Sequence, residues 1–229
     1  VVALKVTVGV MVTASHNPPQ DNGYKVYWSN GAQIVPPHDS GISSAIDDVG
    51  EVVLADIQAL RATAQLQAPD TVILENYYRE ILELRVLKST GARAVYSAMH
   101  GVGGRFVMEA LRRAGHTEVL PVPEQFDPDA GFPTVAFPNP EEPGALDLAL
   151  ALAESEKADL VVANDPDADR LAVAVRDPEG HYIPLSGNEV GLLLAECLMT
   201  HGGQRSKPML ATTIVSSTML RKIAAAHDA

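Results

Sequence analysis

Three carboxylates stand at alternate positions in Asn164-Asp165-Pro166-Asp167-Ala168-Asp169-Arg170. Apolar runs flank them, Asp159 to Ala163 and Leu171 to Val175, so the segment reads as a loop between two strands. Asp165, Asp167 and Asp169 can converge on one hard cation, which prefers oxygen ligands. An EF-hand loop also opens with alternating carboxylates. Here its sixth position, which needs glycine, is Arg170, and its twelfth, which needs glutamate, is Arg176. The plainer alternative is an acidic solvated turn, which the apolar flanks and Arg170 disfavour. The planar fork of Arg170 suits a phosphate.

A second segment, Thr13-Ala14-Ser15-His16-Asn17-Pro18-Pro19, follows the apolar run Val6 to Val12, read as a buried strand. Ligand sites in α/β sheets favour the loop after a strand's C-terminal end. Ser15 is a candidate nucleophile, and His16 a candidate proton carrier or anion contact. An ordinary polar turn would use the same residue types. The G-x-S-x-G nucleophile elbow is absent, so a hydrolase triad is not favoured. Asn22-Gly23 signals a tight turn, and Lys25 returns on the next strand, where it could bind phosphate or move a proton. Taken alone, Lys25 is equally a solvated strand residue.

The elements that must position these groups alternate between strand and helix. Ala92 to Met99 has strand character, His100-Gly101-Val102-Gly103-Gly104 forms a turn, and Phe106 to Ala114 recurs at helical spacing before Gly115. Leu146 to Glu156 and Gly191 to Thr200 read as helices, Tyr182 to Leu185 as a strand, and Ala211 to Ala226 as a strand then a helix. The pattern implies an α/β fold of βαβ units with a largely parallel sheet. The glycine-rich turn fails as a dinucleotide fingerprint on spacing. Pro121 to Pro143 is dense in proline and reads as a long extended connection, functional because it is long. Cys197 lies on an apolar helical pattern and reads as core.

The 229 residues hold 17 Lys+Arg and 29 Asp+Glu, for a formal net charge of −12. That balance argues against non-specific nucleic-acid binding. No apolar run is long enough to span a membrane. The single cysteine cannot form a disulfide within the chain, which points to a reducing, cytoplasmic setting. Both ends are abrupt, and a piece of a longer protein is expected.

Together and in this order, the Ser15 loop, the Asp21 to Lys25 segment and the Asp165 to Arg170 loop resemble the α-D-phosphohexomutase superfamily. Asn30 to Ile34, Ser97 to Gly104, Phe132 to Glu142 and Ser186 to Glu189 also fit, most like its phosphoglucomutase-2-like and phosphopentomutase branch. The resemblance implies mixed or parallel sheets sandwiched by helices, in part of a multi-domain chain. It implies a phosphosugar mutase in which Ser15 carries phosphate and passes it to a sugar monophosphate through a bisphosphate intermediate. Mg²⁺ would be held by Asp165, Asp167, Asp169 and an oxygen on Ser15. Lys25 and Arg170 would contact phosphate, and Lys25 or His16 would assist proton transfer. Residues 1–69 would be the end of a first domain, 70–184 a second, and 185–229 the start of a third. Without a sugar loop and a C-terminal domain, little mutase activity is expected of these residues. A non-catalytic metal-binding module and a Mg²⁺-dependent phosphatase are the competing readings.

Overall fold

A computed structural model describes residues 1–88, 91–203 and 208–229. The chain divides into two compact units, Val1–Ala14 with Asn22–Glu80, and Ser15–Asp21 with Ile81–Ala229.

In the first unit, β1 (Val8–Val12) pairs antiparallel with β2 (Tyr24–Trp28), from Val8 opposite Trp28 to Val12 opposite Tyr24. The expected tight turn at Asn22-Gly23 is not formed. The strands are joined by residues 13–23, and the Thr13 N–H donates to the Gly23 carbonyl at 2.9 Å. A Cβ on Gly23 would lie 2.8 Å from the Thr13 carbonyl oxygen, so glycine serves backbone approach here. Nor is β1 buried as expected, since Val12 is 84% exposed. A two-stranded ladder gives each strand one partner edge, and no layer covers β1 within this unit's described residues. Helices α1 (His38–Asp47), α2 (Ile57–Ala62) and α3 (Thr71–Glu83) follow. Asp56 caps α2 by accepting from the Gln58 and Ala59 N–H groups.

The second unit holds a five-stranded sheet in the order β4-β3-β5-β6-β7. Its strands are β3 (Ala94–Ser97), β4 (Val119–Pro121), β5 (Leu160–Ala163), β6 (Ala172–Arg176) and β7 (Tyr182–Leu185). Strand β3 runs parallel to both β4 and β5, whereas β5–β6 and β6–β7 are antiparallel. The sheet is therefore mixed, and the expectation of a largely parallel one fails on its β6–β7 side. The physical reason is connection length. Helix α4 (Gly104–Arg113) carries β3 over to β4, and α5 (Asp147–Glu156) precedes β5. The links 164–171 and 177–181 contain no helix, and so return the chain antiparallel.

The core lies between α5 and the sheet: Val95, Val122, Ala149, Ala153, Ala158, Val161 and Ala174. Alanines on α5 allow it to approach β3 and β5 closely. Tyr182 ties the two layers together, its hydroxyl lying 2.8 Å from the Ala153 carbonyl and 2.6 Å from that of Ala158. Tyr182→Phe removes this donor and is expected to cost about 1 kcal/mol, read as a lower urea midpoint at unchanged slope.

Helix α6 (Gly187–His201) starts earlier than expected because Ser186 and Glu189 form a reciprocal capping box. Helix α7 (Met219–Ala226) is present, but the strand expected from Ala211 is not; the chain turns there instead, the Ser216 N–H donating to the Thr213 carbonyl at 3.1 Å. Cys197 is only partly buried. No helix among the described residues is long and apolar enough to cross a membrane.

The parallel neighbours β3 and β5 end side by side. Their C-terminal ends feed the glycine-rich turn and the acidic loop, so the fold brings both to one edge of the sheet.

Candidate functional site

The acidic loop is built on Asn164. Its N–H donates to the Ser97 carbonyl at 3.1 Å, its side-chain amide donates to the Arg170 carbonyl at 2.5 Å, and its Oδ1 accepts from the Tyr96 hydroxyl at 3.1 Å. One side chain thus fixes the start of the loop to β3 and closes its end. Within it, the Ala168 N–H donates to the Asp165 carbonyl at 2.9 Å, with Ala168 at φ +60°. The Arg170 N–H donates to Asp165 Oδ1, also at 2.9 Å.

These bonds turn the three carboxylates inward. One oxygen from each of Asp165, Asp167 and Asp169 lies within 4.8 Å of the others. Asp165 is fully buried, Asp167 partly buried and Asp169 exposed. Burial pushes the Asp165 carboxyl above the usual range, and Asp167 and Asp169 push it further, against the Arg170 N–H, which favours the charged form. Three oxygens of this hardness and spacing form a donor set suited to a small divalent cation.

Ser15 meets this cluster from 150 residues away. Its hydroxyl donates to Asp165 Oδ2 at 3.2 Å and lies 3.1 Å from His16 Nδ1. Ser15 sits at φ +56°, a region a non-glycine residue occupies only when its surroundings hold it there. Met99 at +46° and His100 at +58° share this trait beside the same sheet edge. The His16 ring meets Phe137 edge-on at 6.1 Å. The Arg170 guanidinium lies 3.9 Å from Glu141, both partly exposed.

The structure therefore brings together Ser15, His16, Asp165, Asp167, Asp169 and the Arg170 backbone. Lys25 belongs to the first unit, on β2 opposite Met11. Two contacts of the site escaped the sequence, Phe137 on His16 and Glu141 on Arg170. Both lie in the proline-rich connection, where the segment Phe132 to Glu142 carried part of the resemblance but no residue of it was singled out.

The glycine-rich turn supports the acidic loop from beneath. The Val102 N–H donates to the Pro166 carbonyl at 2.9 Å. A Cβ on Gly101 would fall inside contact with the Pro166 backbone, and one on Gly103 would lie 3.0 Å from Ala168 Cβ. These glycines are required for close approach, so the turn can pass directly under the acidic loop.

Comparison with known proteins places the sequence and the fold. Residues 75–180 match the family model for phosphoglucomutase/phosphomannomutase, alpha/beta/alpha domain II, and residues 1–52 match that for domain I. The chain is 44% identical to phosphopentomutase of Homo sapiens and 42% identical to glucose 1,6-bisphosphate synthase of Mus musculus. Each match covers 96% of this chain but only 38% of the relative's length. A solved phosphoglucomutase/phosphomannomutase family protein from Burkholderia thailandensis superposes with a TM-score of 0.61 at 26% identity, over 85% of this chain and 38% of that one. With its two domain models matched in order, and with this fold, the chain belongs to the phosphoglucomutase/phosphomannomutase family.

Proposed function

We propose that this chain carries the phosphoryl-transfer centre of a Mg²⁺-dependent phosphosugar mutase acting on hexose or pentose monophosphates. The observation that carries the reading is the Ser15 hydroxyl bonded to Asp165 at 3.2 Å, inside a three-carboxylate cluster. Ser15 holds the phosphate in the resting protein. A sugar hydroxyl attacks that phosphorus, the bond from phosphorus to Ser15 Oγ breaks, and the sugar's proton ends on Oγ. The product is a sugar bisphosphate. In the return step Ser15 Oγ takes the other phosphate, and the isomeric monophosphate leaves. His16 and Lys25 are the candidates to move the proton, and Lys25 and Arg170 neutralise phosphate oxygens.

The donor set fits Mg²⁺, with Asp165, Asp167, Asp169 and an oxygen of the Ser15 phosphate as its ligands. Bound there, the ion offsets charge on the transferring group. The chain's own part is to crowd three carboxylates and hold a hydroxyl against them. Residues 1–69, 70–184 and 185–229 are proposed as parts of three successive domains, working in the cytoplasm.

Mg²⁺ at ten times its dissociation constant is expected to raise the melting temperature by about 3–6 °C near neutral pH. The pH dependence follows from Asp165. Its folded pKa is raised, so without cation this group favours folding at low pH, and that contribution is lost as pH rises through the folded value. Protons and cation compete for the same oxygens. The Mg²⁺ increment is therefore expected to shrink as the pH falls below neutral. An increment that grows on acidification would contradict this.

The reaction is tested by a single transfer, since the chain spans 38% of its relatives' length. Phosphorylated chain mixed with glucose 1-phosphate or ribose 1-phosphate should yield the sugar bisphosphate. Release of free phosphate instead would favour a phosphatase, and loss of no phosphate a binding module.

A further inference from the structure

The proline-rich connection grips His100 at three points. The His100 N–H donates to the Gln125 carbonyl at 2.9 Å, and the His100 carbonyl accepts from the Asp129 N–H at 3.0 Å. Its ring Nε2 lies 2.8 Å from the Thr134 hydroxyl. The network continues inward. Gln125, 1% exposed, donates from its amide to Thr134 Oγ1 at 3.0 Å, and accepts from the Ser97 hydroxyl at 2.6 Å. Ser97 Oγ in turn accepts from the Met99 N–H at 3.1 Å.

Donor counting gives these bonds a direction. The Ser97 proton is committed to Gln125, and the Gln125 amide to Thr134. Thr134 Oγ1 keeps its own proton and a second lone pair for His100 Nε2, which meets it as acceptor or donor according to the ring tautomer. Burial of His100 lowers the ring's pKa and favours the neutral form, against the opposing pull of Asp129.

His100 is followed by Gly101 and Val102, which touch Pro166, the residue between two of the three clustered carboxylates. Met99 and His100 both hold positive φ, a conformation that needs external restraint. We infer that Thr134 is a positioning residue: through the His100 ring it locks the turn that sets the spacing of Asp165 and Asp167. The inference rests on the reading of the carboxylates as a Mg²⁺ site.

Thr134 is itself exposed, so its substitution leaves the core intact. Thr134→Val keeps the shape and removes the hydroxyl, while Thr134→Ser keeps the hydroxyl. Calorimetric titration of the chain with Mg²⁺ should show affinity falling about tenfold in Thr134→Val, the low end for loss of an outer-sphere partner. Thr134→Ser should bind as the parent does. Nitrogen-15 NMR of the metal-free parent should show His100 held in a single neutral tautomer, and this signature should be lost in Thr134→Val. Equal Mg²⁺ affinity in parent and Thr134→Val, or a His100 tautomer signature unchanged in that variant, would overturn the role of Thr134 alone. A parent chain that binds no Mg²⁺ would overturn the cation site, and this role with it.

Discussion

Asp165→Asn is expected to weaken Mg²⁺ binding by more than about a hundredfold, beyond the cost of losing an outer-sphere partner. Both oxygens of Asp165 are committed, Oδ1 to the Arg170 N–H at 2.9 Å and Oδ2 to the Ser15 hydroxyl at 3.2 Å. In asparagine the oxygen must keep the Arg170 bond, so the amide NH₂ turns toward Ser15. The amide then donates to the Ser15 hydroxyl, which turns its own proton toward His16 Nδ1, and one of three ligand charges is gone. The metal-free variant should nonetheless melt no lower than the parent near neutral pH. Burial and the two neighbouring carboxylates make the Asp165 charge unfavourable in the folded chain, and asparagine relieves that cost. Calorimetry and thermal melting on the same samples check both halves. Retained Mg²⁺ affinity in Asp165→Asn would remove Asp165 from the site.

Gly101→Ala is the second large effect. The added methyl would lie 2.7 Å from the Pro166 carbonyl carbon and closer still to its Cα and oxygen. These are backbone atoms and cannot rotate aside. Either the turn or the acidic loop must move, at a cost of about 3 kcal/mol, the upper part of the usual range for overpacking. Because Pro166 separates Asp165 from Asp167, Mg²⁺ affinity should fall as well. Val102→Ala is the control, since Val102 is 57% exposed and should stay within about 0.5 kcal/mol of the parent. Urea unfolding and Mg²⁺ titration read the pair. A Gly101→Ala chain as stable as Val102→Ala would mean that the two loops are not in tight contact.

The side chains that the fold gathers at the candidate site were legible because each lies inside a short contiguous motif. Ser15 and His16 share one loop, and Asp165, Asp167 and Asp169 another; chemistry at fixed spacing needs no knowledge of the fold. Their supports were not legible. Phe137 reaches His16, and Gln125 reaches Ser97 and His100, only after the chain has folded, and no local pattern marks a phenylalanine or glutamine for such a task. The bonds of His100 to Gln125 and Thr134 likewise come from tertiary packing alone. The helices α4 and α5 emerged from apolar periodicity because both pack on the sheet. Strand direction beyond β5 depended on loop length, which shows as a missing helix between Asn164 and Leu171. The exposure of β1 could not be read at all, since apolar residues signal a strand without saying what covers it.

On the proposed mechanism Ser15, and no other residue of the chain, carries the phosphate. The direct measurement is peptide mapping by mass spectrometry after incubation with glucose 1,6-bisphosphate and Mg²⁺. One phosphate on the peptide containing Ser15 is expected, absent in Ser15→Ala and sharply reduced in Asp165→Asn. Phosphate on another residue, or an equal yield in Ser15→Ala, would contradict it.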